Sequence, residues 1–276
     1  MSVFSNNRFL KRVNPEIVRA KDDSGSSLNH PEIQKLMRQM VDLDIADNLK
    51  LWVHNGLVKT RTSGSDTFVS KAYDISGEEN DGVQATEASQ HKLASDSFKM
   101  VAPSSGRVGY PITDNADIRF VNNFSISIWI KNDTIPTTSN TYFISDWDTP
   151  NNNRRWALMH PANLQYFRFF GSPDGSSVNN YNHATNFDSS NGSWTHYVIS
   201  IGSDNLTWYI NGSFSREFLE QSNIPFNSYS GSQITIGRSG FQHDMYINDI
   251  RIYNKALSAT EVSAIHNQSK GFYGIT

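Results

Sequence analysis

The sequence predicts an all-β fold: an antiparallel two-sheet jelly-roll sandwich with an N-terminal arm and helix and a short C-terminal helix. Three observations predict it. Apolar and polar residues alternate from about residue 48 onward, as in Phe124-Ser125-Ile126-Ser127-Ile128-Trp129-Ile130-Lys131, which sets Phe124, Ile126, Ile128 and Ile130 on one strand face. Asn211-Gly212 lies between two such runs and reads as a hairpin turn, because both residues tolerate positive φ. No strand–helix–strand alternation occurs, so the sheets are expected to be antiparallel.

The composition agrees. Of 276 residues, 37% are hydrophobic and 12% aromatic, enough for a large core, while only 18% are charged. Asn, Ser, Thr and Gly abound, as turns require. Cysteine is absent, so the core must close without disulfides. The net charge is −3, and no stretch of Lys and Arg is dense enough to follow a phosphate backbone, which argues against nucleic acid as a partner. No apolar run reaches the roughly 18 residues of a membrane span. The first residues lack the apolar segment of a secretory signal, so synthesis in a cytoplasm is expected.

Residues 1–46 are expected to form an anchoring and oligomerising unit. An arm mixes Arg8, Lys11, Arg12, Arg19 and Lys21 with Phe4, Phe9 and Leu10; a helix over 30–42 then carries Ile33, Leu36, Met37, Met40 and Val41 on one stripe. The sandwich is expected over 47–276. Its strands are placed at 49–53, 67–73, 83–86, 97–101, 124–131, 142–147, 154–159 and 164–170. Residues 171–192 are polar and read as a long loop, and long loops on rigid sheets tend to carry function. From Trp194 two hairpins follow, then a last strand. Ser258 then caps a helix over 258–267, with Glu261 as its capping-box partner.

Sugar recognition needs an aromatic platform and planar polar groups. The densest such cluster is Trp147, Asp148, Arg154, Arg155 and Tyr166, which are the candidate ligand residues, with Tyr181 and His183 on a loop that can approach them. Trp129, Trp156, Trp194 and Trp208 lie within alternating runs and are assigned to packing. Catalysis finds no support. No glutamate occurs between Glu87 and Glu217, so the paired carboxylates of a glycosidase are missing from most of the sandwich. Asp146 and Asp148 flank Trp147 but run into loop chemistry. The sequence holds no His-Glu-x-x-His and no Gly-x-Ser-x-Gly.

Four stretches resemble the laminin-G-like, or concanavalin A-like, jelly-roll superfamily. They are Leu51-Trp52 with Tyr73-Asp74-Ile75-Ser76-Gly77; Phe124 to Lys131; Trp194-Thr195-His196 through Trp208-Tyr209-Ile210-Asn211-Gly212; and Asn248-Asp249-Ile250-Arg251-Ile252-Tyr253-Asn254-Lys255-Ala256-Leu257-Ser258. The resemblance implies two facing antiparallel sheets. It also implies a structural calcium ion where the Asp-x-Ser-Gly loop meets the last strand, at Asp74, Asn80 and Asp249. Turn hydrogen bonds at Asp74 and Ser76 are the alternative. The chain departs from many relatives at His54, where they carry an acidic residue. Relatives include sugar-binding modules, adhesion domains, glycosidases and virion parts.

This fold usually works outside cells, yet an export signal and cysteines are absent. A bacteriophage virion subunit (tail, fibre or capsid decoration) reconciles the two, with residues 1–45 binding other virion subunits and the sandwich displayed toward a surface glycan. A soluble bacterial carbohydrate-binding lectin module is the alternative, and a glycoside hydrolase comes third.

Overall fold

The computed structural model describes residues 44–94, 97–99, 108–113, 116–133, 140–148, 153–182, 192–219, 224–227, 233–239 and 245–275. The arm and the helix expected over 30–42 lie outside them. Sixteen strands are present among the described residues. The first five are β1 (Leu49–Ser63), β2 (Asp66–Asp74), β3 (Gly82–Val83), β4 (Lys92–Ala94) and β5 (Ser97–Lys99). The middle of the chain gives β6 (Val108–Pro111), β7 (Phe124–Asn132), β8 (Thr141–Asp148), β9 (Asn153–His160), β10 (Arg168–Gly171) and β11 (Asn179–Asn182). Then come β12 (Trp194–Ile201), β13 (Leu206–Ile210), β14 (Ser213–Phe218), β15 (Ile234–Ser239) and β16 (Met245–Tyr253), followed by helix α1 (Ala259–Ser269).

All the strand pairings are antiparallel. A ten-stranded sheet runs β1-β2-β4-β5-β16-β7-β12-β13-β14, with β3 on β2, and a six-stranded sheet runs β11-β10-β9-β8-β15-β6. The inward faces meet in one dry core. Ile126, Ile128 and Ile130 of β7 and Tyr197, Ile199 and Ile201 of β12 pack there against Trp156 and Leu158 of β9 and Phe169 of β10. Alternation thus places Phe124, Ile126, Ile128 and Ile130 where the period-two pattern puts them.

A second core lies on the opposite face of the ten-stranded sheet. Trp52, Val198, Tyr209 and Tyr253 point there, and Val262 and Ile265 of α1 cover them. Ser258 accepts from the Glu261 N–H while the Glu261 carboxylate accepts from the Ser258 N–H, so the predicted capping box forms. Trp129, His196 and His266 stack on this face, with Trp129 Nε1 donating to Ser269 Oγ at 3.0 Å. The Asn211-Gly212 turn has φ of 47° and 78°, as a type I′ turn requires. A Cβ on Gly212 would lie 2.9 Å from that of His266, so glycine also lets the turn meet α1.

Several expected bounds change. β1 continues to Ser63 instead of ending near residue 53, because it pairs with β2 in a long hairpin. The strand expected over 164–170 begins only at Arg168, and the polar stretch after it contains β11, an edge strand on β10. The strand expected over 83–86 stops at Val83, and a 3-10 turn takes up Glu87–Ser89. Ile45 and Ala46 are buried in the second core.

Candidate functional site

The outward face of the six-stranded sheet carries the ligand candidates. A bulge in the β8–β9 pairing sets Asp146 opposite Trp156 and Trp147 opposite Arg154, leaving Arg155 as the extra residue. Trp147 and Arg154 therefore face outward. On β10, Phe169 points into the core while Arg168 and Phe170 point out beside them.

These side chains form one layer. The Trp147 and Phe170 rings stack with centroids 5.6 Å apart. The Arg154 guanidinium lies 5.6 Å from the Trp147 centroid, and that of Arg168 lies 5.5 Å from Phe170 and 5.6 Å from Tyr166. Arg154 donates to the Ser176 carbonyl at 2.9 Å, which ties the loop after β10 to the face. Arg168 donates to Tyr166 Oη at 2.9 Å and to Asn182 Oδ1 at 2.6 Å. Trp147, Arg154, Tyr166, Arg168 and Phe170 are each only partly buried, so they can meet a ligand.

Of the five candidates, Trp147, Arg154 and Tyr166 come together on this face. Asp148 pairs with Asn153 at its edge. Arg155 does not join them. It is buried, ion-paired to Asp146, and donates to the Asn227 carbonyl at 2.8 Å. The same pair commits the Asp146 carboxylate to Arg155. Tyr181 points into the core against Phe169 and Phe218, and His183 lies outside the described residues. Arg168 and Phe170 were not among the candidates, although Tyr166, Arg168 and Phe170 recur at every second position of the sequence, a signal present there.

The expected calcium ligands occupy a different place, on the ten-stranded sheet. Asp74 accepts from the Trp52, Ser76 and Asn80 backbone N–H groups and from Ser76 Oγ, at 2.8–3.0 Å. Burial pushes its carboxyl up to about 6, against the pull of these donors. Asn80 Nδ2 donates to the Lys50 carbonyl at 2.8 Å. Asp249 Oδ1 accepts from Trp52 Nε1 at 2.7 Å, and Arg251 binds both Asp249 oxygens at 2.6–2.8 Å. Burial raises the Asp249 carboxyl, but Arg251 pulls it below the ordinary carboxylate range. Calcium takes about six to eight oxygens with free lone pairs. The carboxylates here are filled by N–H and O–H donors and joined through Trp52, so this set does not fit the ion. Among the described residues no cluster of three or more His, Cys, Asp or Glu is arranged for a metal.

A family model described as Laminin_G_3, of the concanavalin A-like lectin/glucanases superfamily, matches residues 105–263, more than half of the chain. The chain belongs to this superfamily. Solved structures of similar fold include the binding domain of Paraclostridial Mosquitocidal Protein 1, with a TM-score of 0.60 and 16% identity over 84% of this chain and 56% of that one. Botulinum neurotoxin type C, whose cell entry depends on interaction with two ganglioside molecules, gives 0.61 and 20% over 82% and 52%. The binding domain of botulinum neurotoxin DC, solved with rat synaptotagmin II, gives 0.58 and 20% over 81% and 52%. The chain spans about half the length of these structures, and identities this low carry the fold alone. No curated protein matches the sequence. The superfamily covers both lectins and glucanases, so the fold leaves the chemistry to the site.

Proposed function

We propose that the chain is a non-catalytic carbohydrate-recognition module whose ligand lies on the outward face of the six-stranded sheet. The observation that carries this reading is the partly exposed layer of Trp147, Tyr166 and Phe170 interleaved with Arg154 and Arg168. Rings supply apolar area to a sugar's C–H face, and guanidinium groups supply planar donors to its oxygens. The superfamily membership and the fold shared with toxin binding domains support it. The commitment of Asp146 to Arg155 supports recognition rather than hydrolysis.

A second element concerns display. Ile45 and Ala46 sit in the core under α1, on the far side of the molecule from this face. A leading segment that leaves from there would present the face outward from whatever anchors it, as expected of a virion subunit or another adhesion assembly.

A glycan array with the wild-type protein and Trp147→Ala tests the reading. Binding to defined glycans that falls at least about tenfold in the variant, at an unchanged melting temperature, is expected, since one buried aromatic contact contributes over 1 kcal/mol. Wild-type protein that binds no glycan would overturn the reading.

A further inference from the structure

We propose that the ligand is an anionic saccharide, bound along a ribbon of three guanidinium groups that extends beyond the candidate face to β14; this rests on the carbohydrate reading above. The third group is Arg216. It lies 4.5 Å from the Phe218 ring centroid and donates to the Asn182 carbonyl at 3.4 Å. Asn182 also accepts from Arg168 through its side chain, so one residue of β11 joins the two arginines. The Trp147–Phe170 stack joins Arg168 to Arg154 in turn. The ribbon therefore crosses from the six-stranded sheet to the edge of the ten-stranded one.

Three features favour a negative ligand. First, none of the three arginines forms an ion pair with a carboxylate among the described residues, whereas Arg61, Arg155 and Arg251 each do. Second, two nearby acids are engaged by other donors. Asp174 closes its own loop by accepting from Ser176 and Ser177 N–H at 2.8 and 2.6 Å, and Glu217 accepts from Asn205 Nδ2 at 2.9 Å. Third, each arginine overlies a ring, so the surface offers guanidinium groups as much as bare aromatic faces. Stacking on a ring limits the rotamers of a guanidinium, whose planar fork suits two-pronged binding of a carboxylate or sulfate. The chain is acidic overall, with a net charge of −3, so this local positive ribbon runs against the average.

The test uses matched oligosaccharides measured by calorimetry on the full chain: oligogalacturonate against its methyl ester, and a carrageenan oligosaccharide against a neutral agaro-oligosaccharide. The charged member of at least one pair is expected to bind about tenfold tighter at low salt and to lose that advantage by about 0.5 M salt. Arg154→Gln, Arg168→Gln and Arg216→Gln should each weaken that binding by roughly three- to tenfold, with melting temperatures measured alongside. Lys92→Gln, which removes the same charge on β4, should not. The pair that responds distinguishes a carboxylate from a sulfate. Equal affinity for charged and neutral members, still lost in Trp147→Ala, would overturn the anionic ligand and leave the carbohydrate reading standing. Equal weakening by Lys92→Gln would also overturn it. No binding to any of the four, with binding to other glycans on the array, would overturn the anionic ligand alone; no binding on either would overturn both.

Discussion

Replacing Arg155 with methionine separates the two roles open to it. Arg155 and Asp146 are both buried on the floor of the β8–β9 bulge, and the Arg155 Nε–H is spent on the Asn227 carbonyl. Removing one partner of a buried ion pair leaves an uncompensated charge and costs about 3–5 kcal/mol. The Asn227 carbonyl would lose a donor as well, worth about 1 kcal/mol more. Against a stability of roughly 5–15 kcal/mol for a domain, that is a large share. With a guanidinium m-value of about 5 kcal/mol/M, the unfolding midpoint should fall by about 0.8–1.2 M. The double variant Asp146→Leu/Arg155→Met should recover most of the loss, because no charge is then stranded. Denaturation followed by far-UV circular dichroism measures both. A single variant within about 0.5 kcal/mol of wild type would refute the burial reasoning, the more so if glycan binding fell with it.

Two further outcomes follow from local geometry. Ser258→Ala removes one half of the capping box and should lower stability by about 1 kcal/mol, visible as a melting temperature reduced by a few degrees. Acidification sets two buried groups against each other. Burial holds His196 down at about 3, with His266 and Arg251 adding to the effect, so its contribution is present above the unfolded value near 6.5 and fades as pH falls, by about 1.4 kcal/mol per unit. Asp74 has the opposite sign: its raised value favours the fold below about pH 4 and is lost as pH rises through about 6. His54, His266, Asp249 and Glu261 are also held low and add to the His196 side. Wild-type stability should therefore fall from pH 6 to pH 4, and His196→Gln should fall less steeply, in chemical denaturation at each pH.

The strands were legible because core-facing apolar residues recur at every second position, as Phe124, Ile126, Ile128 and Ile130 do in β7 and Tyr197, Ile199 and Ile201 in β12. The cap of α1 was legible because Ser258 and Glu261 act locally. Arg155 was not. The pairing bulge shifts the phase of β9 by one residue, so Trp156 turns inward and Arg155 is trapped beside Asp146; alternation alone cannot reveal where an extra residue will be inserted. β11 was hidden for a different reason. Asn179, Asn180 and Asn182 have turn-like composition, and only backbone pairing with β10 makes them a strand. The Asp74 and Asp249 pair misled because carboxylates that anchor backbone N–H groups and those that bind metal look alike in a sequence; the difference lies in donors contributed by Trp52 and Arg251.

The position of β16 bears on how this molecule is made. The last strand lies in the middle of the large sheet, between β7 on one side and β5 and β1 on the other. As the polypeptide emerges from the ribosome, β7 and β1 must wait with open edges until residues 245–253 arrive to bridge them. That interval is when a nascent chain is most exposed to aggregation. A premature stop before Met245 would strip out the centre of the sheet and, unlike loss of an edge strand, leave nothing for the two halves to close upon.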